Sequence, residues 1–469
     1  MTSLASERAT TLKTAYRICN VEPLQGADLD RYYVNLSEVR KTKAINSING
    51  ILNFQEPGEH KAILFTGHRG CGKSTELKLI QKKWETDYRV IYLEANEETD
   101  INDISFIDIY LIVIKKVEFE LRKLGLKFDS ELLKSFESWF KEITNETEKT
   151  VESSISIAGE ASLGGGLPGI VPPFIAKLLV KLLAQIRGSQ KQRKTIRENL
   201  EKDISRLQLD INLLLNDGLK KLRQKSPQCK DFLLIFDNLD RLNPKMSDRL
   251  FFDYAAQLQQ LNCTIIYTVP IAAVYSPKNL NNNFGDPHIM PMINIYQSDR
   301  DRPELDYNQT NLDAVVDLIK RRVDIDAVFE SSQDLRELAK ASGGHVRQLM
   351  QMMRTACLTA SSQGHSKIDA EDVIYAIKQE QFSFERFLLW EYYPILAKVY
   401  LSKDIDKDET GQLLMFNTSV LEYNGSDRWN YVNPLIKRIN AFQKAVALLE
   451  AEGAEEAEGA AGAEEAEEV

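Results

Sequence analysis

Five short apolar runs along the chain predict the strands of a buried sheet. They are AILFTG (62–67), YRVIYLEAN (88–96), DFLLIFDNLD (231–240), CTIIYTVP (263–270) and MINIY (292–296). The first run is followed by KSTELKLIQKKW (73–84), in which Leu77, Ile80 and Trp84 recur at helical spacing. Strands that alternate with helices in this way predict a mostly parallel sheet covered on both faces.

The interval between the second and third predicted strands is too long for one crossover, so we expect an insertion at about 100–225. It contains the Gly/Pro-rich stretch GEASLGGGLPGIVPPF (159–174), which breaks regular structure. The next stretch, IAKLLVKLLAQI (175–186), is apolar but too short for a membrane span and carries two lysines, so we expect a buried or partner-facing helix. Apolar positions across 196–222 then keep helical spacing and predict one long amphipathic helix.

After the predicted sheet the pattern becomes helical. Four amphipathic stretches within 306–381 predict a helical lid, and Asp369 with Asp372 makes a capping-box pattern at the start of the last one. Further on, SVLEYNGSDRWNYVNPLIKRI (419–439) has two aromatic-rich runs around NGSD, which predicts a β-hairpin. Helices on both sides of this hairpin would complete a small winged-helix-like domain at 382–447.

These elements predict the α/β fold class, with a parallel sheet sandwich, a helical lid subdomain and a small C-terminal winged-helix-like domain. The predicted domains are an N-terminal helical segment (1–30), the sheet-containing core with its insertion (31–305), the lid (306–381), the winged-helix-like domain (382–447) and an acidic disordered tail (448–469).

Charge is distributed unevenly along the chain. The net charge is −10, from 59 basic and 69 acidic residues. Residues 450–469 contain nine glutamates and no lysine or arginine, so the remainder is close to neutral and gives no support for nucleic-acid binding. Five scattered cysteines lack metal-ligand or redox spacing, and the N-terminus lacks the pattern of a secretory signal. We therefore expect a cytoplasmic protein without structural zinc.

The stretch TGHRGCGKST (66–75) has the spacing of a phosphate-binding P-loop. Its glycines let backbone N–H groups surround a phosphate at the start of a helix. Lys73 would reach the β- and γ-phosphates of ATP, and the Ser74 hydroxyl would ligate Mg²⁺. With a strand before it and a helix after it, the motif predicts a P-loop NTPase core. The predicted nucleotide contacts are Gly67, His68, Arg69, Gly70, Cys71, Gly72, Lys73, Ser74 and Thr75.

Residues outside the loop are candidates for metal binding and catalysis, together with Lys73. Asp237 ends the apolar run LLIFD, where its carboxylate would hold Mg²⁺. Asp240 is either the carboxylate that activates water or a helix cap or surface acid. Thr268 is either a sensor of the γ-phosphate or a strand threonine. Arg347, after a Gly-Gly break, either reaches back to the nucleotide from the lid or faces solvent.

The motifs FTGHRGCGKSTEL, LLIFDNLDRL, IIYTVP and SGGHVRQLMQMMRTA, in this order, resemble the ASCE division of P-loop ATPases. Within it they are similar to AAA+ and STAND/KAP-type ATPases of bacteria. The form DNLDR resembles the Walker B motif of STAND and KAP proteins, and the Gly-Gly-x-x-Arg segment resembles the sensor-2 helix of origin-recognition initiator ATPases. The resemblance covers about 30–445, without much of the insertion. It implies an enzyme that hydrolyses ATP to ADP and phosphate.

The same resemblance implies a role for the whole protein. STAND proteins act as ATP-dependent switches that oligomerise, and many take part in bacterial defence against phage. We therefore expect a homo-oligomer, with Arg321 and Arg322 as candidates for an arginine supplied to a neighbouring subunit. The sequence shows no repeat array or effector motif, so either the insertion does the sensing or a separate effector or sensor protein is expected.

The alternative function is that of a DNA-associated AAA+-type initiator or transposition-regulator ATPase. The stretch before the predicted hairpin, KDETGQLLMF, is acidic, whereas a DNA-reading helix needs basic residues. DNA is therefore the less favoured partner.

Overall fold

The computed structural model describes residues 8–150, 190–297 and 302–467, with five isolated positions between 179 and 188. The side chains of 141–150 and of residues beyond 453 lie outside this description. Most of the apolar stretch 175–186, for which we predicted a buried or partner-facing helix, also lies outside the described residues. Among the helices that are described, none combines the length and apolarity that a membrane crossing requires.

A five-stranded sheet with the order β2-β3-β4-β1-β5 forms the centre of the protein, and all its pairings are parallel. Its strands are β1 (Ala62–Gly67), β2 (Arg89–Glu94), β3 (Phe232–Asp237), β4 (Thr264–Pro270) and β5 (His288–Ile289). The carboxyl ends of β1, β3 and β4 therefore meet at one edge. Alternate residues along a strand face opposite cores: Phe65 lies in one apolar cluster and Leu64 in the other.

Four of the five predicted strands are confirmed, but the prediction for MINIY (292–296) is wrong. The fifth strand is the short pair His288–Ile289, and MINIY is irregular chain that is nonetheless buried. Its Met292 N–H donates to the Glu422 carbonyl at 2.9 Å. The apolar character of this run thus reflects burial beneath the C-terminal part of the chain, which a strand pattern cannot distinguish from sheet pairing.

Helices cover both faces of the sheet. On the N-terminal side and around the first two strands they are α1 (Leu12–Ile18), α2 (Gly26–Tyr32), α3 (Ser37–Arg40), α4 (Ala44–Phe54), α5 (Lys73–Trp84) and α6 (Ala95–Glu98). Between β2 and β3 they are α7 (Phe106–Lys123), α8 (Ser130–Thr150), α9 (Gln190–Glu201) and α10 (Ile204–Lys225). Between β3 and β5 they are α11 (Pro244–Asp248), α12 (Ala255–Gln259), α13 (Ile271–Val274) and α14 (Asn281–Phe284), with a π-helical turn at Arg249–Asp253.

The insertion packs on one face of the sheet, where α7, α9 and α10 share an apolar cluster with β3. The prediction of one long helix across 196–222 is wrong, because the chain breaks between α9 and α10. Asp203 interrupts the helical backbone there, and its side chain accepts a hydrogen bond from Arg206 N as the N-cap of α10. Aspartate favours helix caps over helix interiors. The helical spacing of the apolar residues continues through the break, so the spacing alone did not indicate where one helix ends and the next begins.

The lid consists of α15 (Gln309–Lys320), α16 (Ile325–Val328), α17 (Ser332–Ser342), α18 (Val346–Gln363) and α19 (Ala370–Phe387). Gly343 adopts φ of 60° at the end of α17, in the left-handed region that favours glycine. The capping box predicted for Asp369 and Asp372 is present at the start of α19. The N-terminal α1 packs on this lid, and the Arg354 guanidinium lies 3.9 Å from the centre of the Tyr16 ring.

The C-terminal unit contains α20 (Tyr392–Ser402), α21 (Glu409–Phe416), the antiparallel hairpin β6 (Val420–Asn424) and β7 (Arg428–Val432), α22 (Pro434–Lys437) and α23 (Asn440–Glu467). The predicted hairpin is thus confirmed, while the winged-helix designation stays a prediction. The acidic tail belongs to α23, which continues to Glu467, and its predicted disorder stays a prediction. Alanine and glutamate are strong helix formers, so the tail extends a helix that begins in the packed part of the chain.

Candidate nucleotide-binding site

The P-loop connects β1 to α5 and lies at the carboxyl edge of the sheet. Gly67 has φ of 152°, and a Cβ there would lie 2.3 Å from the Met290 carbonyl oxygen. Gly72, at the N-cap of α5, has φ of 108°. Side chains at these two positions would strain the turn, so glycine is required for the loop to close around the start of a helix. Backbone N–H groups at that helix start can bind an anion.

The Lys73 ammonium lies at the centre of the loop, almost fully buried. Its Nζ donates to the carbonyl oxygens of Gly67 at 2.7 Å and His68 at 2.8 Å, and forms an ion pair with Asp240 Oδ2 at 2.7 Å. Burial disfavours the charge, but Asp240, with Cys71 and Asp237, outweighs that effect, and together they raise the pKa of Lys73. The lysine therefore remains a cation, and a bound phosphate could replace Asp240 as its partner.

The candidate metal ligand Asp237 ends β3 close to the loop. Its Oδ1 accepts from Asn238 N at 2.7 Å, and its Oδ2 accepts from the Tyr92 hydroxyl at 2.6 Å. Burial and this carboxylate raise the pKa of Tyr92, so the tyrosine remains a donor. Tyr92 and the backbone thereby orient the carboxylate of Asp237. Its role as a Mg²⁺ ligand together with Ser74 stays a prediction.

Asn238 follows the metal-ligand candidate at the position where many AAA+ enzymes carry glutamate. Its φ of 66° is in the left-handed region, which asparagine tolerates better than most other residues. Its side-chain amide donates to Glu94 Oε2 at 3.1 Å and to Asn96 Oδ1 at 2.8 Å. Burial, together with Glu97 and Asp237, raises the pKa of Glu94. Asn238 thus shapes the turn and connects β3 to the end of β2.

Asp240 lies in a short 3₁₀ turn, Leu239–Arg241, and faces the P-loop. It is 7% exposed, and the N-cap of its turn is Asn238, so it is neither a surface acid nor a helix cap. Its carboxylate instead pairs with Lys73. Its predicted role in activating water stays a prediction.

Thr268 is fully buried in β4, beside β1. Its hydroxyl donates to the Phe236 carbonyl at 3.1 Å and accepts from Leu239 N at 3.0 Å. Both bonds hold the turn that carries Asp240. Thr268 does not line the cleft beside the P-loop, so its visible contacts support a positioning role; contact with the γ-phosphate stays a prediction.

The lid touches the P-loop through the first turn of α18. Arg347 N donates to the Gly70 carbonyl at 3.1 Å. A Cβ at Gly70 would come within 2.5 Å of His345 Cε1 and 2.7 Å of Arg347 Cβ, so this glycine allows close approach of the two segments. Arg347 lines the same cleft as Lys73, and its contact with a nucleotide stays a prediction.

The C-terminal hairpin also touches the loop, a contact that the sequence did not reveal. His68 Nε2 accepts from Glu422 N at 2.8 Å, and both residues are buried. The Glu422 carboxylate accepts from the Tyr275 hydroxyl at 2.6 Å, just after β4. The hairpin is therefore held at two points beside the P-loop.

The N-terminal segment closes another side of the site, and these contacts were also missed. Leu24 N donates to Thr75 Oγ1 at 3.2 Å, and the Tyr33 hydroxyl contacts the Glu76 carboxylate at 3.1 and 3.2 Å. Arg40 donates to the Cys71 carbonyl from a buried position. Together with the loop and lid they border an open cleft.

The two candidates for an arginine given to a neighbouring subunit differ in placement. Arg322 is 6% exposed, donates to the Leu318 carbonyl and lies over the Tyr32 ring, so within its own chain it is not free to enter a neighbour's site. Arg321 is exposed. The contacts of Arg322 within its own chain give it no support, and for both arginines the role stays a prediction.

Comparison with known proteins agrees with this geometry. Residues 41–264, just under half of the chain, match the model of the KAP family P-loop domain. The chain contains a P-loop NTPase domain. The loop glycines, the buried Lys73 and the oriented Asp237 carboxylate fit a nucleotide with Mg²⁺. None of the curated proteins compared with the chain matches it.

Solved structures with similar folds include a Walker-type ATPase of Pyrococcus abyssi, at a TM-score of 0.40 and 12% identity over 89% of this chain and 98% of that one. The ADP form of the Aeropyrum pernix ORC2 protein gives 0.39 and 12% over 93% and 98%. Drosophila ORC bound to DNA gives 0.39 and 10% over 95% and 94%. Similarity at this level carries no conclusion about function.

Two buried histidines at the loop predict a pH dependence of stability. Burial lowers the pKa of both His68 and His345 from 6.5 to about 3. As pH falls below 6.5, the unfolded chain binds protons there that the folded protein does not. The free energy of unfolding should therefore fall, by up to about 1.4 kcal/mol per pH unit for each histidine.

Thermal unfolding midpoints between pH 7.5 and 5.5 measure this effect. His345 is the N-cap of α18, and asparagine is an equally good cap. His345→Asn should therefore keep the fold while making the midpoint less sensitive to acid. An unchanged pH dependence in this variant would contradict the assignment.

Proposed function

We propose that the protein is an ATP-binding and ATP-hydrolysing switch whose C-terminal unit changes its contacts with nucleotide state. The observation that supports this is the position of the P-loop between the lid and the C-terminal hairpin. Gly70 accepts from Arg347 N, and His68 accepts from Glu422 N. A loop that rearranges when phosphate binds would strain or release both bonds. Nucleotide state is thereby coupled to segments distant in sequence.

The surrounding contacts make the hairpin respond as a unit. The Tyr423 hydroxyl donates to the Gly343 carbonyl at 2.6 Å, at the turn that precedes α18. Met292 N donates to the Glu422 carbonyl. Strand β6 therefore contacts the P-loop, the turn that precedes α18 and the irregular segment that follows β5. Movement of any one of them should be transmitted to the other two through buried, specific hydrogen bonds.

Amide hydrogen exchange with ATP or ADP, each with Mg²⁺, tests this coupling. Protection of β6 should differ between the two nucleotides, whereas α10, on the opposite face of the sheet, should serve as an internal control. Light scattering under the same conditions tests whether the change also drives assembly. Equal exchange of β6 in the apo, ADP and ATP states would contradict the switch.

Variants at His68 sharpen the same experiment. His68→Leu leaves the Glu422 N–H buried without its acceptor, at a cost of about 1–3 kcal/mol. We expect it to bind ATP while losing the nucleotide-dependent exchange difference in β6. His68→Gln is the matched control, since its side-chain carbonyl can still accept. Full coupling in His68→Leu would show that this bond does not transmit the nucleotide state.

Self-association, a separate effector and a role in antiviral defence stay predictions of the STAND resemblance.

The DNA-associated alternative loses support at α21, the helix before the hairpin. Gln412, Leu414 and Met415 are buried, and the helix packs against α13. Its inner face is therefore taken by the ATPase core. A gel-shift series over increasing salt tests the alternative, and specific retardation of duplex DNA at physiological salt would favour it.

A further inference from the structure

The cleft beside the P-loop has more positive than negative side chains. Among the described residues that line it, the basic ones are Arg40, Arg69, Lys73, Arg241, Arg322 and Arg347, and the acidic ones are Glu22, Glu76 and Asp240. Asp240 already pairs with Lys73, and Glu76 accepts from Tyr33. The remaining charge favours a polyanionic ligand with several phosphates.

Arg69 differs from the other basic residues of this cleft in having a buried side-chain nitrogen without a hydrogen bond to any part of the chain that the structure describes. The residue is half-buried, and the nitrogen is its Nε. Burial lowers the pKa of its guanidinium; Asp240 opposes this, and Arg347 adds to it. The guanidinium lies 5.8 Å from the centre of the Phe416 ring. The Arg69 guanidinium, a planar group with five N–H donors, therefore has the Phe416 ring as its recorded side-chain contact.

We propose that Arg69 binds the γ-phosphate of ATP from within its own chain and so distinguishes ATP from ADP. The inference rests on the proposed function, because it requires ATP to occupy this P-loop. Arg69 lies in the loop itself, four residues before Lys73, and lines the same cleft. Charge-assisted hydrogen bonds between a guanidinium and phosphate are stronger than contact with a ring, so the γ-phosphate should displace Phe416 as its partner.

The exchange of partners gives this arginine a second effect. Phe416 ends α21, next to the hairpin that holds His68. When Arg69 turns to the γ-phosphate, α21 loses a contact with the loop, and after hydrolysis it regains it. The C-terminal unit would thereby respond to a triphosphate but not to a diphosphate.

The test compares the dissociation constants of ATP and ADP, both with Mg²⁺, by calorimetry on the full chain. Arg69→Ala should weaken ATP binding by at least ~10-fold and ADP binding by less than ~3-fold. Arg69→Lys keeps the charge without the planar fork and should give an intermediate ATP loss. Arg241→Ala removes another positive charge from the same cleft and is the comparison for charge alone, so it should weaken ATP and ADP binding to a similar extent.

Each outcome decides between the alternatives. An unchanged ratio of ATP to ADP affinity in Arg69→Ala would overturn the role of Arg69 while leaving ATP binding intact. The same ATP-selective loss in Arg241→Ala would show that only the general charge of the cleft matters, which also overturns it. If wild type binds neither nucleotide, the proposed function fails as well. Should Arg69→Ala not fold, the ratio in Arg69→Lys decides, and a wild-type ratio there would contradict the inference.

Discussion

Replacing Lys73 with alanine should abolish ATP binding. The ammonium lies at the start of α5 with its charge kept by Asp240, in the position from which it would meet the phosphates. At ~100-fold excess of ATP over Kd, wild type should gain about 2.7 kcal/mol of apparent stability, visible as a rise in the thermal midpoint. Lys73→Ala should show no such rise. An ATP-induced shift equal to that of wild type would mean that the lysine does not hold phosphate.

The structure adds a control that the loop motif alone would not suggest. Lys73→Ala leaves the mostly buried Asp240 carboxylate without the lysine that pairs with it, and breaking a buried pair from one side costs up to about 3–5 kcal/mol. The nucleotide-free variant should therefore melt below wild type. The double variant Lys73→Ala, Asp240→Asn removes both charges and should recover part of that loss while still failing to respond to ATP. Loss of the ATP response in both variants would separate binding from folding.

Short-range patterns predicted much of the fold and the centre of the site. The P-loop needs glycines at positions 67 and 72 because of local backbone geometry, and this requirement is visible in the sequence itself. The position of Asp237 at the carboxyl edge of the sheet was predicted because a buried parallel strand appears in the sequence as a continuous apolar run. The capping box at Asp369 is equally local. In each of these cases the interactions that determine the local structure lie within one short segment of the chain.

The contacts that surround the loop could not be predicted, because each joins segments that are far apart in the chain. His68 and Glu422 are 354 positions apart, and the donor is a backbone N–H, which leaves no mark in the residue types. The bond from Leu24 N to Thr75 is of the same kind. The strand prediction for MINIY was wrong for a related reason, because burial beneath a distant hairpin requires the same apolar residues as a buried strand.

The pairing of Asp240 with Lys73 changes how the hydrolysis step is understood. The Asp240 carboxylate is paired with the Lys73 ammonium at 2.7 Å. If the phosphates of ATP took over Lys73 as their partner, the Asp240 carboxylate would become free for its predicted role of accepting a proton from the attacking water. Asn238 cannot act as a base and is already engaged with Glu94 and Asn96. Binding of ATP would therefore itself free the group that the reaction requires.

Asp240→Asn should accordingly keep ATP affinity, or raise it slightly because the amide competes less for Lys73, and lower turnover by at least ~10²-fold. The comparison is kcat beside ATP affinity in this variant and in Asp237→Asn. Asp237→Asn should weaken Mg²⁺-dependent binding as well as turnover, since its carboxylate is the candidate metal ligand oriented by Tyr92. Wild-type hydrolysis in Asp240→Asn would show that water is activated elsewhere. Glu94 would then be the next group to test, because it ends β2 in register with Asp237 and carries a raised pKa.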